Sequence, residues 1–333
     1  MKAVRVVQHG RPVDAVDVQE IDQPEPGPGT VRVRVAAGSI NYGDIARAYG
    51  RLASIMAAPP FTLGMDCCGV VDAAGEGGEE WVGRRVVAIT QMAQGGLAEY
   101  AIAPTAAVFD APEALDDAEA AAFLLPFHTT YLALHHRARV QAGETVLVTA
   151  GASALGTSAI QLAAAAGARV IAVAGGPEKT ALCRELGADV TVDHTAGTDL
   201  FEAVMDATDE RGAEVVVDLV GGDGTEKLWT CVAYDGRFVP VGFNDDLESG
   251  MTGRPLRKVS MGNFSVVGVL LSYAPPSRLM RQFGVVTNPP EVGAAVHASL
   301  CRLIDRGAIR PYVGRRIGPD DVAAALADHE ARR

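Results

Sequence analysis

The sequence predicts an α/β protein in two parts, a mainly β segment and a doubly wound parallel sheet covered by helices. Three observations carry this. Residues 1–110 read as short strands separated by Gly/Pro turns. From about residue 117 the apolar period becomes helical. Beyond that point Val-rich, nearly continuous apolar runs alternate with helical stretches, the pattern of strands buried on both faces.

Taken in order, "MKAVRVVQHG" alternates like a strand and lacks the apolar core and small-residue cleavage site of a signal peptide. "VRVRVAAGSI", "GVVDAAGEG", "RRVVAIT" and "GGLAEYAIAP" read as further strands, with "QPEPGPG" as punctuation. Together they suggest a partly closed barrel. "DDAEAAAFLLPFHTTYLALHHRARV" has helical spacing, with Asp116 and Asp117 as N-cap candidates. Strands are expected at 145–150, 169–174, 189–193, 214–219 and 236–241, and helices at 154–166, 177–186, 198–210 and 223–233. That makes five or six parallel strands, ending with "NFSVVGVLLS". Residues 291–333 read as two helices around "AIRPYVGRRIGP" that pack back on the N-terminal part.

Composition narrows the function classes. The 333 residues are 48% hydrophobic and 21% charged, an ordinary globular balance. A formal charge of -12 and the lack of a Lys/Arg run argue against nucleic acid as a partner. The most apolar stretches, such as 159–174, are shorter than a membrane span. Cys67, Cys68, Cys183, Cys231 and Cys301 are scattered without a CxxC, as expected for free thiols in a reducing cytoplasm.

The stretch "VLVTAGASALGTSAIQLAAAAGARVIAVAGG" has the order strand, small-residue turn, helix, strand. In a dinucleotide turn one glycine makes the bend, one admits the pyrophosphate and one lets the helix pack closely. Gly151 and Gly156 suit the first and last roles, and Ala152, Ser153 and Ala154 are small enough for close approach. The first helical amides then face phosphate, and the Ser153 hydroxyl can add a hydrogen bond. A βαβ turn without ligand would look similar; the flanking strand and helix favour the cofactor reading. The second strand ends Ile171-Ala172-Val173-Ala174-Gly175-Gly176 with no acid to bind ribose hydroxyls and repel a 2′-phosphate, and Lys179 follows on the next helix. An acid-free pocket beside a cation favours NADPH over NADH.

Landmarks along residues 1–330 then resemble the medium-chain dehydrogenase/reductases, in particular the zinc-independent quinone oxidoreductase and enoyl reductase branch: "GSINYGDIARAYG", "FTLGMDCCGVVDAAGEG", "VGRRVVAI", "GGLAEYAIAP", "TTYLAL", the turn above, "LGADVTVDH", "EVVVDLVGG" and "GRFVPVG". The resemblance implies a GroES-like catalytic domain, residues 1–122 and 273–333, and a Rossmann domain, 123–272, with the active site in the cleft between them. At the positions where zinc enzymes of this superfamily carry their Cys and His ligands, this chain has Asn41, Met65 and about Leu125, which cannot hold that ion. The structural-zinc cysteine cluster is absent from the sequence, and His128, His135 and His136 have no spaced carboxylate or thiolate. No metal is expected. Without a Lewis acid, the chemistry that fits is hydride addition to an electron-poor conjugated acceptor, a quinone, enone or enoyl thioester.

The resemblance also implies site residues. Asn41, Tyr42, Tyr49 and His128 are the catalytic candidates. The cofactor candidates are Asn41, Thr129, Gly151, Ala152, Ser153, Ala154, Leu155, Gly156, Gly175, Lys179, His194, Val220, Gly242 and Phe243. Relatives carry a tyrosine where this chain has Arg51 and Leu52, which weakens a tyrosine-acid mechanism; Arg51 could meet an anionic substrate tail. Asp66 matches an acidic position that pairs structurally. The polar loop 243–262 is longer than in relatives, and "ADHEARR" stops short of their terminal strand. A homodimer through residues 264–272 is expected. Three alternatives stay open: an NADPH-binding sensor or structural protein with little turnover, a tailoring enoyl reductase on a polyketide-like intermediate, and a zinc alcohol dehydrogenase, which metal analysis would decide.

Overall fold

The computed structural model describes residues 1–51, 58–242, 257–282 and 284–331. It divides into two compact units, Met1–Leu125 with Ser272–Ile304 and Arg310–Arg333, and Pro126–Leu271 with Asp305–Ile309.

The first unit holds strands β1 (Lys2–Val6), β2 (Val16–Glu20), β3 (Thr30–Gly38), β4 (Phe61–Thr62), β5 (Asp66–Ala74), β6 (Arg85–Ile89), β7 (Tyr100–Pro104) and β8 (Val108–Asp110). They form a three-stranded sheet in the order β2-β1-β4 and a five-stranded sheet in the order β7-β3-β5-β6-β8, every pair antiparallel. Alternation along "TVRVRV" buries Val31 and Val33 with Val71, Val86 and Ala101, while Arg32 turns out to Asp72 at 3.0 Å. A second cluster joins Val4, Val6, Ile45 and Leu63 to Val322 and Leu326 of the C-terminal helix Val322–Glu330. Asp116 caps the helix Asp117–Ala121 by accepting from Glu119 N at 2.9 Å. Arg316 and Arg310 reach Asp116 and Glu119, both at 2.6 Å, and tie the C-terminal segment to that helix.

The second unit is built on β9 (Thr145–Val148), β10 (Arg169–Ala174), β11 (Val190–Asp193), β12 (Ala213–Asp218), β13 (Val232–Pro240) and β14 (Ser265–Val266). All pair in parallel in the order β11-β10-β9-β12-β13-β14. The order reverses direction beside β9, the switch point at which doubly wound sheets bind ligands beyond their strand ends. Two elements differ from expectation. β13 begins at Val232, inside the stretch expected to be helical, because Asp235 takes a left-handed conformation (φ 57°) and lets the chain bulge and stay in the sheet. The last strand is two residues long: Val267 N still donates to Phe238 O, but 268–272 lie past the end of the ladder at the sheet edge.

Candidate functional site

The turn after β9 is held on both sides. Ala150 adopts φ 47°, Gly151 N donates to Val173 O at 2.8 Å, and Thr149 Oγ1 accepts from Leu219 N at 2.8 Å. Gly156 is the tightest point. A Cβ there would stand 2.2 Å from Ala150 O and 2.6 Å from the Gly151 carbonyl carbon, so only glycine lets the helix Ala154–Ala165 start this close to the strand. At Gly151 a Cβ would meet Cys183 Sγ at 2.9 Å. Ser153 is the N-cap and accepts from Gly156 N at 3.1 Å, which uses a lone pair and leaves its hydroxyl proton to give. The N–H groups of Ala154 and Leu155, which a helix cannot satisfy internally, are available to an anion. The residues present therefore fit a pyrophosphate.

Neighbouring strand ends are tied to the same edge. Asp218, 1% exposed at the end of β12, accepts from Val220 N at 3.1 Å, Gly221 N at 3.0 Å and the Thr225 hydroxyl at 2.8 Å. Its carbonyl accepts from Val241 N and Gly242 N. Val220 and Gly242 thus sit side by side, and a Cβ on Gly242 would clash with Leu219 O at 2.0 Å. Sequence reasoning missed Thr149 and Asp218; an acid closing the buried run "EVVVD" was the available signal. Phe243 lies outside the described residues, as do residues 244–256 of the polar loop.

At the end of β10, Gly175 lies under His194: a Cβ at 175 would stand 2.9 Å from His194 Nε2. Asp193, also missed, fixes that placement. Its Oδ1 accepts from Gly176 N (2.9 Å), Thr195 N (2.8 Å) and the Thr195 hydroxyl (2.6 Å). The Thr195 hydroxyl and these amides pull the Asp193 carboxyl down to about 2. Lys179 is half-buried in the first turn of the helix Pro177–Glu185, and His194 is exposed. Thr129 and His128 are buried on the helix Leu124–Tyr131, whose Thr130 hydroxyl donates to Ser158 Oγ at 3.0 Å.

The first unit contains a buried polar cluster around Asn41. Asn41 N-caps the helix Tyr42–Ala48, and its backbone N–H donates to Asp44 Oδ2 at 2.9 Å. Its side-chain Nδ2 donates to Ser39 Oγ at 2.9 Å and Asp66 Oδ1 at 3.2 Å. Ser39 donates its hydroxyl to Asp66 Oδ1, and Leu125 N donates to Asp66 Oδ2 at 3.2 Å. Burial pushes the Asp66 carboxyl up to about 7, against the bonds from Ser39 and Leu125 that favour its charge. Burial also raises Asp44 and lowers Arg47, whose guanidinium donates to the carbonyls of Ala93 and Met92. Ser39, Asp44 and Arg47 were not foreseen; the N-x-x-D spacing of a capping box was the missed signal.

Tyr42 and Tyr49 are placed differently. Tyr42 meets His329 edge-on at 6.2 Å, and both tyrosines pack against the second cluster. The Tyr49 hydroxyl bonds Glu330, and burial together with that acceptor raises it; the Arg51 guanidinium lies over its ring at 4.6 Å.

The residues do not suit a catalytic zinc. The Asn41 amide nitrogen is committed to Ser39 and Asp66, Leu125 is aliphatic, and the Met65 thioether packs on the helix, its Sδ 2.6 Å from where a Gly43 Cβ would be. Among the described residues no group of three or more His, Cys, Asp or Glu is placed to hold a metal ion. No described helix is long and apolar enough to cross a membrane.

A parallel sheet of this order with a phosphate turn at its switch point, joined in one chain to an antiparallel unit, defines a nucleotide-binding oxidoreductase class. Residues 154–283 match the family described as zinc-binding dehydrogenase, and 27–113 the alcohol dehydrogenase GroES-like domain. The chain is 37% identical over 219 residues to a quinone oxidoreductase-like protein 2 homolog of Nematostella vectensis, covering 65% of this chain and 59% of that protein. It is 33% identical over 311 residues to quinone oxidoreductase-like protein 2 of Bos taurus, covering 93% and 84%. Over 278 residues it is 33% identical to a phthioceranic/hydroxyphthioceranic acid synthase of Mycobacterium tuberculosis, covering 82% of this chain but 13% of the synthase. A mycobacterial structure complexed with NADPH superposes with a TM-score of 0.83 at 27% identity, covering 100% of this chain and 97% of the other. The chain belongs to the medium-chain dehydrogenase/reductase superfamily, in its quinone oxidoreductase and enoyl reductase branch.

Proposed function

We propose that the protein is an NADPH-dependent, metal-independent reductase of electron-poor conjugated acceptors such as quinones, enones or enoyl thioesters. The observation that carries the cofactor choice is the end of β10. Ala174, Gly175 and Gly176 offer no carboxylate, and the nearby Asp193 has Oδ1 engaged by Gly176 N and by the amide and hydroxyl of Thr195. Lys179 and His194 flank that point and suit a 2′-phosphate. Gly151, Ala152, Ser153, Ala154, Leu155 and Gly156 hold the pyrophosphate, with Val220 and Gly242 at the neighbouring strand ends. Bound there, the nicotinamide supplies hydride. The protein's own work is to orient the acceptor, to exclude water and to stabilise charge on the acceptor oxygen.

The similarity to a multidomain synthase favours a second substrate reading, an enoyl group carried on a larger intermediate. A cytoplasmic homodimer through residues 264–272 belongs to the same proposal; the short β14 leaves an edge on which a second copy could add strands. The test is oxidation of NADPH and NADH side by side with quinones, enones and enoyl thioesters. Turnover with NADPH and one acceptor class supports the reading. NADPH binding by fluorescence with no turnover of any acceptor overturns it in favour of a sensor.

A further inference from the structure

The Asn41 side chain is held in one orientation. Ser39 Oγ and Asp66 Oδ1 are 2.9 and 3.2 Å from its nitrogen and are hydrogen-bonded to each other. Acceptors this close together subtend roughly 50° at the nitrogen, while the two N–H bonds of a planar amide diverge by about 120°. They therefore share one N–H between them, and the second points away from both. With the Asp66 carboxyl ionised and the Ser39 hydroxyl donating to it, turning the amide over would set its carbonyl oxygen against two oxygens with no proton to give it. The backbone of Asn41 is fixed as well, through its N–H to Asp44 Oδ2 and its carbonyl from Asp44 N. Asn41 keeps 8% of its surface, whereas Asp66 behind it has none.

We infer that Asp66 and Ser39 are positioning residues that aim the second N–H of Asn41 at the carbonyl oxygen of the conjugated acceptor, so that Asn41 donates to the oxygen on which negative charge develops. The inference rests on the reductase reading. Hydride addition at the β-carbon moves the π electrons onto the carbonyl oxygen, and a proton from water at the α-carbon completes the two-electron reduction as the nicotinamide is oxidised. The donor is worth most while the oxygen carries charge, so it belongs to kcat rather than to acceptor binding. It also assigns Asn41 to the acceptor, leaving NADPH to the second unit.

The test is a double-mutant cycle on the full chain, read by kcat, acceptor KM and the NADPH dissociation constant from fluorescence titration. Asn41→Ala should lower kcat about 100-fold, the usual effect of removing one such donor. Asp66→Asn should lower it at least about tenfold, because an amide at 66 no longer dictates which way Asn41 faces. NADPH affinity should stay within about twofold in both. The combined variant should be no slower than Asn41→Ala alone, since Asp66 acts through Asn41. Should Asp66→Asn fail to fold, Ser39→Ala takes its place in the cycle, with Ser39→Thr restoring the rate. Losses that multiply in the combined variant, or a folded Asp66→Asn with wild-type kcat, overturn this assignment and leave the reductase reading standing. A wild-type chain that binds NADPH and reduces no acceptor overturns the reductase reading, and this inference with it.

Discussion

The Asp66 carboxyl is fully buried and held at about 7, against an ordinary 3.8. The folded state thus binds its proton more tightly than the unfolded chain does. Between about pH 4 and pH 7 the native form carries a proton that the unfolded form has lost, so this group's contribution to stability falls as pH rises through that window and is level above it. At about 1.4 kcal/mol per unit, the shift corresponds to at most about 4 kcal/mol, a large part of the 5–15 kcal/mol typical of a domain. Asp66→Asn removes the titration at nearly constant volume. His297, shifted by burial and by Asp110, titrates in both proteins and cancels in the difference. The stability of Asp66→Asn relative to wild type should therefore rise by about 2–4 kcal/mol from pH 4.5 to pH 8. The chain has two tryptophans, Trp81 in the first unit and Trp229 in the second. In a Trp229→Phe background, Trp81 fluorescence during urea unfolding reports the unit that contains Asp66. A difference that is flat with pH, or that shrinks as pH rises, would refute the argument.

Three further outcomes are expected. Gly156→Ala sets a methyl group 2.2 Å from Ala150 O; it should cost about 1–3 kcal/mol of stability and weaken NADPH binding at least about tenfold by fluorescence titration. Lys179→Ala and His194→Ala should each raise the NADPH dissociation constant about tenfold and leave that of NADH within about twofold, as the loss of one charge-assisted contact to a 2′-phosphate requires; equal losses for both cofactors would remove these residues from the 2′-phosphate site. Tyr49→Phe should leave kcat within about twofold, because its hydroxyl already bonds Glu330; a larger loss in steady-state assays would return Tyr49 to the reaction.

Much of the second unit was legible because its signals are local. Val-rich runs, small residues at 151–156 and helices of near-average length fix a parallel sheet and its turn without long-range information. The bulge at Asp235 escaped: one left-handed residue lets the strand start at Val232, in the last two residues of the stretch 223–233, whose helix forms over Thr225–Trp229. The shortness of β14 escaped too, because the end of a ladder is a property of the neighbouring strand. In the first unit, Asn41 and Asp66 were singled out by motif, but not as partners of each other, and Ser39 and Asp44 were not singled out at all. Ser39, Asp44 and Asp66 converge through three separate elements, and sequence spacing does not show which polar side chains will share one buried volume. The surroundings of Tyr49 were hidden for the same reason: Glu330, which acts on its hydroxyl, is 281 residues away, on the last helix.

Burial raises both acids around Asn41, Asp66 and Asp44, but different groups favour the charge of each. Arg47 lies one turn along the same helix as Asp44, and its charge favours the Asp44 carboxylate, as do the N–H groups of Asn41 and Gly64. Asp66 is held by neutral donors, a hydroxyl, an amide and the backbone N–H of Leu125, and the charge of Asp44 acts against it. Neutral donors can hold a carboxylate in place without recovering its full hydration. A buried acid kept under those terms is costly, and a volume-matched apolar residue would serve packing at least as well. What the apolar residue could not do is dictate which end of the Asn41 amide faces inward. The orientation of the second N–H of Asn41 is thus the property that the cluster delivers and that simple packing would not.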